Sequence, residues 1–81
     1  MRKKLSEREF QIVQFLVLGM TNKEIARELN ISIHTVKAHL EDIYDKLKIN
    51  NRIQASIVAT IEGIIDIKEI QSKYIIQKQA V

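Results

Sequence analysis

The chain has 81 residues, 46% of them hydrophobic, and a formal net charge of +3 at pH 7. A chain of this length suits one small domain with a modest core, and its hydrophobic content argues against disorder throughout. It has no cysteine, which excludes disulfides and thiolate metal sites. No apolar run approaches the roughly 20 residues that a membrane span needs. The mild positive charge is compatible with nucleic acid as a partner but does not establish one.

The first helix is predicted for residues 7–18. Ser6 and Glu9 form the S-x-x-E pattern of a capping box, which marks the start of a helix. Gly19 stands where a left-handed residue commonly ends one. The apolar residues between them recur at helical spacing, at Phe10, Val13, Leu16, Val17 and Met20.

The second helix follows at once, because Thr21 and Glu24 repeat the capping box. It is predicted for Asn22–Leu29. Asn30 comes next, where the chain must turn, and asparagine tolerates the left-handed conformation better than most residues do.

Ser32 then caps a third helix, predicted for Ile33–Leu47. The inner stripe of this helix is marked by four apolar residues at helical spacing, Val36, Leu40, Ile43 and Leu47.

A fourth helix is predicted for residues 52–62, with Asn51 and Gln54 at its start and Gly63 at its end. The remaining stretch has Ile67, Ile70 and Tyr74 at amphipathic spacing. The sequence thus predicts an all-α fold, with a four-helix domain in residues 1–65 and a helical extension in residues 66–81.

The second and third helices are joined by a turn short enough for a helix-turn-helix, which presents its second helix to the DNA major groove. At roughly 100° per residue, the third helix carries on one face His34, Lys37, Ala38 and Glu41. Lys37 can donate to guanine, Glu41 can accept from the cytosine amine, and Ala38 can touch a thymine methyl. Helix-turn-helix pairs also occur in proteins that bind no DNA, so the same face can be simply solvated.

Catalytic chemistry is not indicated. The sequence has no Ser/His/Asp set, glycine-rich phosphate loop or HExxH pattern. His34 and His39 lie about 140° apart around one helix and cannot share a metal. His39 is expected to be a packed histidine with one hydrogen bond. We therefore predict no enzyme, no metal, no cofactor and no small-molecule site.

Four stretches carry a family resemblance: the opening L-S-x-R-E, "GMTNKEIA", IS-x-x-TVK-x-H and "IYDKLKINNRIQA". Together they resemble the LuxR-type helix-turn-helix domain, also called the GerE or FixJ/NarL output domain, over residues 5–65. The resemblance implies a cytoplasmic bacterial transcription regulator whose third helix reads double-stranded DNA. It also implies that the fourth helix helps to pair two domains as a homodimer.

The resemblance also assigns residues. It implies base contacts by Lys37, Ala38 and Glu41; His34 shares their face, although its place near the helix start suits phosphate or solvent equally well. It implies phosphate contacts by Asn22, Lys23, Thr35, Lys46 and Arg52. Glu41 stands at a position where some relatives carry a basic or neutral polar residue. A carboxylate in the groove is repelled by the phosphates unless it meets a cytosine amine.

The fourth helix has more large aliphatic residues than one buried stripe needs. Ile57, Ile61 and Ile64 are candidates for an exposed dimer contact, although core packing of each is an equal alternative. A rival interpretation is a protein-interaction module that docks a partner such as RNA polymerase. The chain can be a complete regulator or a piece of a larger one.

Overall fold

The computed structural model describes residues 4–63 and 65–70. Within these residues the chain forms helices and no strands, which confirms the predicted all-α fold. In chain order the helices are α1 (Glu7–Val17), α2 (Asn22–Leu29), α3 (Ile33–Leu47), α4 (Arg52–Ile61) and α5 (Ile67–Ile70). The predicted bounds of α2 and α3 are confirmed, and α1 and α4 each end one residue earlier than predicted. The predicted extension beyond α5, with Tyr74, lies outside the described residues.

The two capping boxes form as predicted. The Ser6 hydroxyl accepts a hydrogen bond from the Glu9 N–H at 3.1 Å, and Glu9 Oε1 accepts one from the Ser6 N–H at 2.7 Å. Thr21 and Glu24 repeat the pattern at 3.1 and 2.8 Å. Each box satisfies two backbone donors that a helix start otherwise leaves unpaired.

The helix ends depend on residues in the left-handed conformation. Gly19, Asn30 and Gly63 have φ angles of 80°, 56° and 72°, as the sequence indicates. Lys48 also has a positive φ, of 58°, and ends α3. This position was not foreseen, because lysine has no intrinsic preference for that conformation; the turn of the chain into α4 imposes it.

Helix α3 is the element around which the others pack, since it contacts α1, α2 and α4. Its predicted inner stripe is confirmed, and all four residues are buried: Val36, Leu40, Ile43 and Leu47. The prediction for α1 was partly wrong. Phe10 is 38% exposed, whereas Ile12 and Phe15 are buried. The buried face of α1 is therefore rotated relative to the stripe inferred from spacing, since α1 packs against both α3 and α4.

Alanines provide the buried face of α4. Ala55 and Ala59 are fully buried, while Ile53, Ile57 and Ile61 are 69%, 51% and 78% exposed. Because alanine is small, α4 can lie close to α1 and α3, and its large side chains are left on the outer face. Ile64 lies outside the described residues.

One ion pair connects the first and third helices. Lys46 Nζ lies 2.6 Å from Glu9 Oε1, and the Glu9 side chain is only 5% exposed. Burial by itself raises the pKa of the Glu9 carboxyl, but the hydrogen bonds from Lys46 and Ser6 and the Lys46 charge bring it below its ordinary value of 4.5. The sequence predicted Glu9 as part of a capping box. The cap is confirmed, but the side chain is buried because it also binds α3.

Thr21→Ala should lower the free energy of unfolding by about 1 kcal/mol, because the Glu24 N–H loses its side-chain acceptor. Helix α2 has only 8 residues and depends on packing for its stability, so the loss should affect the whole domain. Thr21→Ser, which keeps the hydroxyl, is the matched control. Denaturant unfolding measures the difference, and equal stability of the alanine and wild-type chains would contradict the role of this cap.

Lys46→Met should lower the free energy of unfolding by about 1–3 kcal/mol at pH 7, because Glu9 then remains buried without its cation. Since the pKa of Glu9 is lowered on folding, the pair's contribution is complete well above pH 4.5 and is lost as the pH falls through the lower pKa of the folded state. The difference from wild type should therefore shrink in acid.

The exposed Lys37 on the same helix provides a control, Lys37→Met, for which no such pH-dependent difference is expected. Unfolding curves between about pH 7 and pH 3 test the pair. If Lys46→Met lowers the free energy of unfolding equally at about pH 7 and about pH 3, the ion pair is not the source of the loss.

Candidate nucleic-acid interface

Helices α2 and α3 form the predicted helix-turn-helix. Helix α2 ends at Leu29, α3 begins at Ile33, and the two pack against each other. Ala26 is 6% exposed, as expected of a small residue where helices approach closely. The Ile31 N–H donates to the Ala26 carbonyl at 3.0 Å, which fixes the turn. The orientation of α3 relative to α2 is thus set by packing and by backbone hydrogen bonds.

The outer face of α3 brings together the four residues predicted to contact bases. His34, Lys37, Ala38 and Glu41 are all exposed, opposite the buried stripe that begins at Val36. They span about two helical turns, from the first turn of α3 to its middle. This face therefore presents a cation, a methyl group and a carboxylate in one row, which are groups that can distinguish base edges.

The start of α3 holds the hydroxyl of Thr35 in a defined position. Ser32 Oγ accepts a hydrogen bond from the Thr35 N–H at 3.0 Å and lies 2.8 Å from Thr35 Oγ1. Thr35 is exposed, so its hydroxyl can still meet an external acceptor such as a phosphate.

The start of α2 provides a second polar edge. Lys23 is exposed, and no acidic partner of its ammonium group is present among the described residues. Asn22 is half-buried, and its Oδ1 accepts a hydrogen bond from Arg52 at 2.7 Å. The Asn22 oxygen is therefore already used within the domain.

Two of the predicted phosphate-binding cations are likewise engaged within the domain. Lys46 binds Glu9 on α1, and Arg52 binds Asn22 and, at 2.6 Å, the Met20 carbonyl. Sequence reasoning missed these pairings because the partners are 37, 30 and 32 residues apart. Neither helical spacing nor a local motif contains a signal for them.

Negative charge lies close to the face that is predicted to contact bases. Asp42 and Asp45 are exposed on α3 together with Glu41, whereas the cations of the helix are the exposed Lys37 and the paired Lys46. Phosphates repel these carboxylates. The amino-terminal half of α3 is consequently the half better suited to DNA.

Tyr44 and His39 lie on the flanks of α3 and are half-buried. Burial raises the pKa of the Tyr44 hydroxyl above its ordinary value of 10.0, and the Arg52 charge opposes the rise. His39 was expected to be packed with one hydrogen bond. That expectation was wrong: its position is about 60° from the buried stripe, and its imidazole makes no hydrogen bond to the described residues.

Neither a metal centre nor a membrane span is seen in the described part of the chain. No group of three or more His, Cys, Asp and Glu side chains there is arranged to hold a metal ion. None of the described helices has the length and hydropathy required to cross a membrane.

Similar proteins are known. The chain is 51% identical over 61 residues to YhjB of Escherichia coli strain K12, a match that covers 75% of this chain and 30% of that protein. It is 46% identical over 55 residues to the transcriptional regulatory protein LiaR of Bacillus subtilis strain 168, covering 68% of this chain and 26% of that protein.

A solved structure agrees with these matches. The response regulator ChrA of a heme-sensing two-component system superposes with a TM-score of 0.75 at 43% identity, over 80% of this chain and 32% of that one. The chain thus spans less than a third of the length of each of these proteins. The family model described as bacterial regulatory proteins, luxR family, matches residues 3–59. The chain therefore belongs to the luxR family of bacterial regulatory proteins.

Proposed function

We propose that the domain regulates transcription by binding double-stranded DNA sequence-specifically, with α3 in the major groove. The observation that carries this proposal is the exposed polar face of α3, held opposite a fully buried stripe in a helix-turn-helix. A helix-turn-helix enters the groove with the amino-terminal residues of its second helix leading. Those are the residues that the packing of α3 leaves accessible.

The proposed base contacts follow from side-chain chemistry. Lys37 donates to guanine O6 and N7, Ala38 contacts a thymine methyl, and Glu41 accepts from the cytosine amine. His34 lies at the leading edge of the face and reaches either a base or the adjacent phosphate.

The proposed phosphate contacts flank this face. Thr35 offers its positioned hydroxyl, and Lys23 its exposed ammonium at the start of α2, where helix N–H groups also favour an anion. Asn22, Lys46 and Arg52 complete the set that the family resemblance implies. Their side chains already make contacts within the domain, so only the donors left over from those contacts are open to a phosphate.

We further propose that the domain acts as a homodimer through α4. Ile57 and Ile61 are exposed, and together with Val17 of α1 they line a shallow, mostly apolar groove of about 310 Å³. Ile64 extends the predicted patch but lies outside the described residues. A two-fold dimer needs the same patch on both subunits, and a single apolar helix face meets that requirement.

The rival function uses the same isoleucines to dock another protein, such as RNA polymerase, rather than a second copy. Salt dependence distinguishes the two functions. DNA binding weakens steeply with salt because counterions are released from the phosphates, whereas binding through an apolar face does not. A titration of a random-sequence duplex at several salt concentrations is therefore the first experiment, and binding-site selection is the second.

Lys37→Ala should weaken specific DNA binding by about 1–3 kcal/mol and relax base preference at one position, because a base-edge donor is lost. Lys68→Ala removes the same charge from an exposed position beyond the far end of α4 and is the matched control. Binding-site selection with both variants is the measurement. An unchanged site preference and affinity for Lys37→Ala would remove Lys37 from base reading.

Ile61→Glu should abolish cooperative binding to a duplex with two half-sites about 34 Å apart, because it places two like charges at the dimer axis. Ile61 is 78% exposed, so the monomer should keep its helical content. Ile61→Lys is the control for repulsion between the glutamate and DNA. A lysine attracts phosphates but still places two like charges at the dimer axis, so this variant should also lose cooperativity. Cooperative binding by either variant would place the dimer contact elsewhere.

A further inference from the structure

We infer that Arg52 is a positioning residue of the proposed DNA interface, which fixes the start of α2 through two hydrogen bonds instead of binding phosphate. This inference rests on the proposed function, because it concerns how the domain holds its DNA-binding edge.

The guanidinium of Arg52 bridges two elements that are far apart in sequence. Arg52 Nη1 donates to Asn22 Oδ1 at 2.7 Å, and Nη2 donates to the Met20 carbonyl at 2.6 Å. Both bonds are partly buried and short. A planar guanidinium offers two parallel donors in a fixed geometry, which an ammonium group does not.

The two acceptors flank the N-cap of α2. Met20 precedes Thr21, and Asn22 follows it. The Arg52 fork therefore holds the chain on both sides of the residue that starts the helix. Lys23 is the next residue, so the direction of its side chain depends on the same anchor.

The location of the Arg52 charge also favours a structural role. Arg52 is the first residue of α4, and the first turn of α4 contains no acidic residue. A helix amino terminus carries partial positive charge, so a cation there is unfavourable. Hydrogen bonds to the amide and carbonyl oxygens of α2 offset that repulsion.

A third element lies near this charge. Helix α3 packs against α4, and the Arg52 charge opposes the rise in the pKa of the Tyr44 hydroxyl on α3. Arg52 thus stands where α2, α3 and α4 meet. A phosphate that took the two N–H groups now bonded to Asn22 and Met20 would release the start of α2.

Arg52→Lys is the discriminating variant, because it keeps the charge and removes the fork. If Arg52 positions α2, this variant should bind a random-sequence duplex as weakly as Arg52→Ala does. The affinity of both variants should be at least about tenfold below that of wild type, which corresponds to about 1.4 kcal/mol. Arg27→Lys makes the same exchange at an exposed residue of α2 that has no part in the proposed contacts, and it should bind like wild type. The titrations are made under conditions in which circular dichroism shows that each variant has the helical content of wild type.

Two DNA-binding results would overturn the inference. The first is that Arg52→Lys binds with the affinity of wild type. The second is that Arg52→Ala changes only the salt dependence: its plot of log binding constant against log salt concentration has a slope smaller by about one unit, as expected for one lost phosphate contact.

A second measurement needs no DNA. The effects of Asn22→Ala and Arg52→Lys on the free energy of unfolding should be non-additive, because both remove the same hydrogen bond. Additive effects would overturn the inference. Absence of duplex binding by the wild-type chain would overturn the proposed function instead, and the unfolding cycle distinguishes that failure from this one.

Discussion

The buried stripe of α3 is the constraint on which the rest of the molecule depends. Val36, Leu40, Ile43 and Leu47 leave α3 only one orientation in which all four are removed from water. At about 1.5–3 kcal/mol for each large aliphatic side chain buried, any rotation of α3 is costly. The opposite face is consequently presented to solvent in a fixed direction. An interface that reads base edges needs such fixed presentation more than it needs high charge.

The composition of α4 divides this short helix into two different faces. Ala55 and Ala59 are fully buried, which lets α4 approach the core while occupying little of its volume. Ile57 and Ile61 lie on the outer face, where their apolar side chains are exposed to water. Exposed apolar surface of this kind commonly marks an interaction site. The assignment of large residues to the outer face is the reverse of an ordinary amphipathic helix. This reversal is the structural argument for a partner on α4.

The sequence predicted what depends on local patterns. Capping boxes at Ser6 and Thr21, the left-handed Asn30 and the α3 stripe follow from spacing of a few residues, and all four are confirmed. On α1, spacing identified the buried Val13 and Leu16 but missed Ile12 and Phe15, because a helix that packs against two neighbours has no single apolar stripe.

Contacts between distant residues were not predictable in this way. Lys46 and Arg52 look like free cations in the sequence, and only the fold reveals Glu9 and Asn22 as their partners. The same limit applies to Lys48, whose left-handed backbone is imposed by the path of the chain and by no preference of lysine.

These pairings change how the charge of the domain should be counted. The net charge of +3 counts every cation equally, but Lys46 is held by Glu9, and the Arg52 guanidinium is held by oxygens of Asn22 and Met20. On the helix-turn-helix the exposed cations are Lys23, Arg27 and Lys37, and α3 also carries three exposed carboxylates, Glu41, Asp42 and Asp45. Because fewer cations are then open to the phosphates, non-specific affinity should be lower than the net charge suggests. With that balance, the proposed base contacts and the proposed pairing through α4 would supply most of the affinity, and both would favour the domain's own site over other DNA.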